Sequence, residues 1–341
     1  MDELDSIGWP HIRPARGRDL PLPLPRRPTS FPDEHAEIKE MNWRTQYVQL
    51  LPGLFEGALF DMEMAGVTVG LEEYNLPMEE MFCAPPGKFF YFRARSNGEA
   101  FCEGQALNGE FGLICADEAL LHFLVRGDYS GFYVAIDQDL LDVLLADFDW
   151  RAYFRLRKWI SVSAERTAML DAAVFDLLKC LSDDPRNVEL VDRGENVALA
   201  AGAVVAALDI QASSRPSLDT RTYLFRKARD YILDRITEDF SVAELCEALR
   251  VSQRTLEYSF ADITALSPKR YILTQRLNRV RSDILQKGAR TDVLDLAYKW
   301  GFRHPSRFSQ QYRRHFHELP SATKGRLIGR LGNAERGRVS K

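Results

Sequence analysis

Two sets of polar side chains recur at helical spacing in the last third of the chain: Gln253, Arg254, Glu257 and Tyr258, then Ser306, Arg307, Gln310 and Arg314. Each set lies on the side of a candidate helix opposite its apolar residues, Leu256 and Phe260 in the first and Phe308, Tyr312 and Phe316 in the second. Arginine, glutamine and glutamate on an open helix face can hydrogen-bond base edges in a DNA major groove. A single exposed arginine more often only solvates, so the weight falls on the elements that carry these side chains. Other chemistries lack their residues. His122 is the only histidine between His35 and His304; a His-x-His pair is missing, and neither a metal nor another cofactor is expected. No catalytic triad or phosphate-cradling glycine loop stands out, so an enzyme is not expected. His122, within Leu120–Val125, reads as a core or pocket-facing histidine. The five cysteines (Cys83, Cys102, Cys115, Cys180, Cys246) form no CxxC pair and read as reduced, mostly buried thiols.

The elements that must position the two polar faces form an internal repeat. Val242, Leu245, Leu249 and Val251 recur 51 residues later as Val293, Leu296, Trp300 and Phe302. After one inserted residue, Leu256, Phe260 and Pro268 recur as Phe308, Tyr312 and Pro320. Each copy reads as helix, tight turn, helix and a proline-terminated exit, which is a helix-turn-helix unit used twice. Ser241-x-x-Glu244 is a capping box, Ser252 caps the helix Gln253–Asp262, and Asp292 caps Val293–Trp300. Gly301 supplies the second turn, and Pro305 starts the last helix. Between the copies Pro268–Leu285 keeps an unbroken helical pattern, a rod of roughly 27 Å. Such a rod can hold two recognition helices about one DNA turn apart.

Charge separates this region from the rest. The net charge of −4 over 341 residues divides into +11 from Asp219 onward (25 basic, 14 acidic) and −15 before it (20 basic, 35 acidic). A basic half of this kind suits a polyanion, because neutralised phosphates release their counterions. The acidic half has other textures. Residues 1–40 hold seven of the sixteen prolines and read as an extended, disordered tail without a secretory signal. Short aromatic and β-branched runs (65–71, 88–93, 110–115, 130–136) predict an antiparallel sandwich or jelly-roll barrel. Ala164–Leu181 and the apolar Asp192–Gln211 read as helices, the second either buried in its own subunit or packed on another chain. The longest apolar run, Val197–Leu208, is too short to span a bilayer, so no membrane association and a cytoplasmic location are expected. Ser213–Ser217 reads as a linker.

The residues from Thr222 to Gly325 resemble the AraC/XylS-type bacterial transcription regulators. The resemblance rests on Leu245-Cys246 to Leu256-x-x-x-Phe260, Ser267-Pro268-x-x-Tyr271 and Arg276-Leu277-x-x-Val280-Arg281-x-x-Ile284-Leu285. It continues through Leu296-Ala297-x-x-Trp300-Gly301-Phe302, Phe308-x-x-x-Tyr312-Arg313 and Pro320. The Trp-Gly-Phe-Arg-His block is more similar to the ethanolamine-utilisation regulator branch than to the sugar-sensing branch. Two departures stand where the family has glycine after each recognition helix: Ala265 and His317 argue against left-handed caps there.

The resemblance implies an α+β multidomain chain. It gives a disordered tail (1–40), a cupin-like jelly-roll sensor domain (41–150), a helical dimerisation region (151–212), a linker (213–218), an all-α tandem helix-turn-helix DNA-binding domain (219–330) and a flexible tail (331–341). Base contacts would fall on Arg254, Glu257 and Tyr258 and on Ser306, Arg307, Gln310 and Arg314; phosphate contacts on Arg279, Arg281, Arg303, Arg313 and Lys324. The implied function is a transcriptional activator. Its implied partners are double-stranded promoter DNA, RNA polymerase, a second copy of the chain and a small organic effector. Phe90, Phe92, Phe101 and His122 are candidates for lining the effector pocket, against a reading of the aromatics as barrel core. The alternative is a DNA-binding regulator whose N-terminal domain only dimerises or binds a partner protein.

Overall fold

A computed structural model describes residues 27–30, 32–38, 44–64, 66–107, 110–115, 120–144, 159–162, 171, 172, 174, 178, 220–287 and 292–326. The N-terminal part is β-rich. Its strands are β1 (Arg27–Thr29), β2 (Arg44–Gln49), β3 (Gly57–Met64), β4 (Val67–Tyr74), β5 (Met78–Cys83) and β6 (Lys88–Arg95). They continue as β7 (Ala100–Cys102), β8 (Gln105–Leu107), β9 (Glu110–Cys115), β10 (Leu120–Val125), β11 (Tyr129–Asp137) and β12 (Trp159–Val162). The four aromatic or β-branched runs singled out above correspond to β4, β6, β9 and β11. All described pairings are antiparallel, in a seven-stranded sheet ordered β1-β3-β4-β11-β6-β9-β12 and a five-stranded sheet ordered β2-β5-β10-β7-β8.

Side chains from both sheets share one interior, among them Phe90, Phe92 and Tyr133 from the seven-stranded sheet and Met78, Phe82 and Phe123 from the five-stranded one. Alternation along each strand sends every second residue inward. The interior admits no extra atom at Gly70, where a Cβ would meet the Tyr133 ring at 2.2 Å. Phe90 and Phe92 are therefore core residues rather than free pocket walls, while Phe101 belongs to a second core shared with the C-terminal helices.

Two boundaries drawn from sequence change. The expected tail 1–40 is structured over 27–30 and 32–38: β1 pairs with β3 through Thr29↔Gly57, and α1 (Pro32–Ile38) follows it. Proline density had suggested a chain unable to bury a core, but His35 of α1 is fully buried. The expected helical region 151–212 contributes β12 to the seven-stranded sheet through Trp159↔Cys115. After α2 (Gln138–Leu144), Asp171, Ala172, Val174 and Leu178 are helical as expected, and the Tyr91 hydroxyl donates to Asp171 at 2.6 Å. The helix expected at 192–211, the linker 213–218 and the tail 331–341 lie outside the described residues.

The C-terminal part is helical: α3 (Thr220–Asp234), α4 (Val242–Leu249), α5 (Gln253–Thr264), α6 (Pro268–Lys287), α7 (Val293–Lys299) and α8 (Pro305–Phe316). Leu256, Phe260, Tyr271, Leu296, Phe308 and Tyr312 are buried in one continuous core. Val48, Leu50, Phe101 and Leu124, on the outer face of the five-stranded sheet, join that core, so the β-rich part packs directly on the helices. Cys83, Cys102 and Cys246 are buried.

Candidate nucleic-acid interface

Local chemistry builds the first recognition helix. The Ser241 hydroxyl accepts from the Glu244 amide while the Glu244 carboxylate accepts from the Ser241 amide, closing the capping box on α4. The Ser241 backbone N–H, and after it the Ser241 side chain, favour the ionised Glu244 and lower its pKa. Ser252 caps α5 by accepting from the Thr255 amide at 3.1 Å. Leu256 and Phe260 are buried beneath α5, which leaves Gln253, Arg254, Glu257 and Tyr258 exposed. These four are cross-linked along the helix. Gln253 donates to Glu257 at 2.9 Å, and the Arg254 guanidinium donates to the Tyr258 hydroxyl at 2.9 and 3.1 Å.

In the second copy the Asp292 carboxylate caps α7 by accepting from the Leu294 amide at 2.9 Å. Gly301 sits at φ +83°, a left-handed turn that disfavours a side chain. A Cβ there would also come within 3.0 Å of the Arg276 guanidinium. Arg276 donates to the carbonyls of Ile236 and Glu238, so one arginine of α6 braces the entry to the first copy against the turn of the second. His304 precedes Pro305 at the start of α8 without a side-chain cap. Phe308, Tyr312 and Phe316 are buried, while Ser306, Arg307, Gln310 and Arg314 are exposed. Ala265 and His317 both adopt left-handed backbone, at φ 58° and 59°. The caps expected to be lost without glycine are therefore present, at a cost of about 1–2 kcal/mol each that the surrounding packing must offset.

The helix α6 joining the copies runs 20 residues, roughly 30 Å. A cleft of about 880 Å³ opens between the copies, lined on one side by Gln253 and Glu257 and on the other by Arg307 and Gln311. The geometry brings Glu257 and Arg307 to a shared cleft; Arg254, Tyr258, Ser306, Gln310 and Arg314 are not among its lining residues. Lys269 and Arg270, exposed on the first turn of α6, also line it. Sequence reasoning passed over these two cations, although a basic pair directly after the helix-starting Pro268 was the available signal.

The expected phosphate contacts divide. Arg303 is exposed and ion-paired with Asp239 at 2.7 Å, Arg313 is exposed, and Lys324 is half-buried. Arg279 is half-buried with its guanidinium over the Trp300 ring at 5.9 Å, and burial pushes its pKa down. Arg281 is 1% exposed, donating to Asp33 at 3.1 Å and Glu318 at 2.7 Å. The expectation for Arg281 is corrected: this side chain ties α1 to the exit from α8 and cannot reach a phosphate.

The face of α6 away from the cleft is docked on the five-stranded sheet. Glu79 of β5, fully buried, accepts from the Tyr271 hydroxyl at 2.6 Å and from the Gln275 amide at 2.5 Å. His122 of β10 faces the same carboxylate at 2.6 Å. Burial alone would push the Glu79 carboxyl up; the hydrogen bond and charge of His122, then the Tyr271 hydroxyl, hold it below its ordinary value. His122 is thus a buried histidine with a carboxylate partner, one of the two roles the sequence allowed. On β2, Gln49 exchanges backbone hydrogen bonds with the Asn278 amide group, both at 3.1 Å, and its side-chain amide donates to the His315 carbonyl at 3.2 Å. The His315 ring donates to the Gln49 carbonyl at 2.9 Å. Nearer the first copy, Thr222 donates to the Gly104 carbonyl and Arg126 to the Asp262 carbonyl. The β-rich part therefore holds both copies while both recognition faces stay open. Glu79 and Gln49 escaped sequence reasoning because a polar residue in a strand reads as solvent-facing.

Among the described residues no group of three or more His, Cys, Asp or Glu is placed to hold a metal, and no helix is long and apolar enough to cross a membrane. A family model described as a helix-turn-helix domain matches residues 245–326. The regulatory protein HrpB of Ralstonia nicotianae is 31% identical over 153 residues, 43% of this chain and 29% of that protein. The XylDLEGF operon transcriptional activator 1 of Pseudomonas putida is 25% identical over 199 residues, 58% of this chain and 59% of its own length. This chain thus spans less than two thirds of either relative. A solved regulator from Chromobacterium violaceum, named as having an AraC-type DNA-binding domain, aligns over 31% of this chain and 92% of its own at 27% identity and a TM-score of 0.29. With two helix pairs, the buried Leu-Phe and Phe-Tyr spacings and the family match, residues 245–326 are a helix-turn-helix domain.

Proposed function

We propose that the chain is a sequence-specific DNA-binding transcriptional regulator, acting as an activator at promoter DNA. The observation that supports this most is the pair of exposed polar recognition faces on α5 and α8, braced by α6 and flanking one cleft. In this reading Arg254, Glu257, Tyr258, Ser306, Arg307, Gln310 and Arg314 read base edges, and Arg303, Arg313 and Lys324 anchor phosphates, joined by Lys269 and Arg270. The two-sheet N-terminal domain is a cupin-like jelly roll that senses a small organic effector. A homodimer and contact with RNA polymerase belong to the same reading. The docking of the sensor sheet on α6 supports effector control, since a domain that only dimerised would have no use for the Glu79 and Gln49 contacts.

Gel shifts of the intact chain on its own upstream region and on random duplex test the proposal. Affinity should favour the specific duplex and fall steeply with salt. Arg307→Ala should relax discrimination at one or two base pairs by about 1–3 kcal/mol, whereas Arg313→Ala should weaken every duplex alike. Equal affinity for all sequences would overturn the proposal.

A further inference from the structure

The DNA-reading function gives no task to a group of titratable side chains inside the β-rich domain. Tyr47, Glu72, Tyr74, Glu80 and Tyr129 are all buried there. The imidazole of His35, carried in on α1, sits among them. Its ring centroid lies 5.3 Å from Tyr47, 5.6 Å from Phe55 and 6.1 Å from Tyr74, each contact edge-on. Its Nε2–H donates to the Glu72 carboxylate at 3.0 Å, and its Nδ1 shares a hydrogen bond of 2.8 Å with the Thr29 hydroxyl. The Tyr47 hydroxyl donates to the same Glu72 oxygen.

A second observation points to a ligand. The Tyr74 hydroxyl is buried and has no hydrogen-bond partner, although its ring stacks on Tyr129 at 4.8 Å. Burial first, and then the negative field of Glu80, push the Tyr74 hydroxyl well up, and its ring lies edge-on to His35 in the same core. An orphan hydroxyl in a dry site costs about 1–3 kcal/mol unless something meets it. Aromatic walls with a carboxylate at the base suit an organic cation: the rings offer their negative faces and the carboxylate a charge-assisted hydrogen bond. An anion would meet the two glutamates, and a neutral apolar ligand would leave Glu72 without its N–H donor.

We propose that this cage is a binding site for a small organic cation bearing an N–H, about the size of an imidazole ring, and that His35 is its built-in occupant. The proposal rests on the sensor reading above and names the ligand class. A free ligand donates one N–H to Glu72 in place of His35 Nε2 and a further N–H to the Tyr74 hydroxyl oxygen. To enter, it displaces α1, which is held by the pairing of β1 with β3 and by the Asp33–Arg281 ion pair. The segment 27–38 is therefore a tethered competitor, and the intact chain binds the ligand only in the fraction of molecules whose cage has opened.

Calorimetric titration of the full chain with propylammonium and imidazole, against 1-propanol and propionate, tests this. His35→Ala should bind both nitrogen probes about tenfold tighter or more, because removing the competitor raises the competent fraction. Propanol and propionate should bind neither chain, and Glu72→Gln placed on His35→Ala should abolish binding while leaving the circular dichroism spectrum unchanged. Should His35→Ala fail to fold, His35→Gln, which keeps a polar contact to Glu72, gives the same direction with a smaller gain. Propanol binding as well as propylammonium, no gain on removing the ring, or binding indifferent to Glu72→Gln would overturn the cage. The sensor reading is separable. Propanol or propionate binding the intact chain and altering its DNA affinity keeps the sensor and rejects the cage; propylammonium filling the cage without changing DNA affinity keeps the cage and rejects the sensor.

Discussion

The first helix-turn-helix copy closes its helix ends with its own side chains: Ser241 and Glu244 on α4, Ser252 on α5. The second copy caps α7 with Asp292 but starts α8 on Pro305 with no side-chain cap, and fastens the far end of α8 to strand β2 through His315 and Gln49. The recognition faces differ in the same sense. On α5 the polar side chains are engaged with one another, Gln253 with Glu257 and Arg254 with Tyr258. Two units of one repeated pattern thus reach similar architecture with different helix-end chemistry, side-chain caps at both helix starts in the first and an uncapped α8 start in the second. The N-terminal domain touches both recognition helices, through Arg126 at Asp262 of α5 and through Gln49 at His315 of α8.

Removing Arg281 should do most to separate the copies. Arg281→Met removes the buried cation between Asp33 and Glu318, of which Glu318 keeps Arg326, and about 1–3 kcal/mol of stability should be lost in urea unfolding. Hydrogen exchange should rise around α8 and in 27–38 before α4 and α5; equal loss in both copies would show that they are not held differently.

Acid offers an effect of similar size. His315 occupies the place that Ile263 fills in the first copy, and burial, against the hydrogen bond to Gln49, pulls its pKa down to about 4 from 6.5. The unfolded chain takes up that proton near 6.5 while the folded chain refuses it until about 4, so stability falls as pH drops through this window. The loss is on the order of 3 kcal/mol, and His315→Gln should flatten the slope of the melting temperature against pH. An unchanged slope would assign the acid sensitivity elsewhere.

Gln49→Ala removes a donor shared among the carbonyls of Leu51, Gly53 and His315, the last of which keeps the Gly53 amide. A cost of about 1–3 kcal/mol is expected, with exchange increasing at the end of α8 and not in α5. Smallest is Ser252→Ala, about 1 kcal/mol, confined to α5. The reciprocal change His304→Ser should stabilise α8 by a similar amount if the missing cap is what distinguishes the copies.

What the sequence made legible was local. The repeat, the caps at Ser241, Ser252 and Asp292, the turn at Gly301 and the exposed faces of α5 and α8 all depend on neighbours within a few residues. Arg279 and Arg281 show where that runs out. Both read as polar positions on α6, yet Arg281 is buried because Asp33 and Glu318, 248 and 37 residues away, meet it there. The same holds for His35, whose partner Glu72 lies 37 residues on and turns a proline-rich stretch into a packed one. Ala265 and His317 mislead for another reason. Glycine only lowers the cost of a left-handed cap, and packing on both sides of the helix end can impose one on other residues.

The apolar outer face of the five-stranded sheet, with Val48, Leu50, Phe101 and Leu124, is covered by helices that begin at Thr220. Synthesis runs from the N-terminus, so the ribosome completes these strands well before their cover exists. During that interval a growing chain displays a contiguous oily surface, which is an aggregation hazard for incomplete chains. Yield in a heterologous host should therefore depend on elongation speed and chaperone supply more than on the stability of the finished fold. Truncation products ending before α3 should be the species that precipitate.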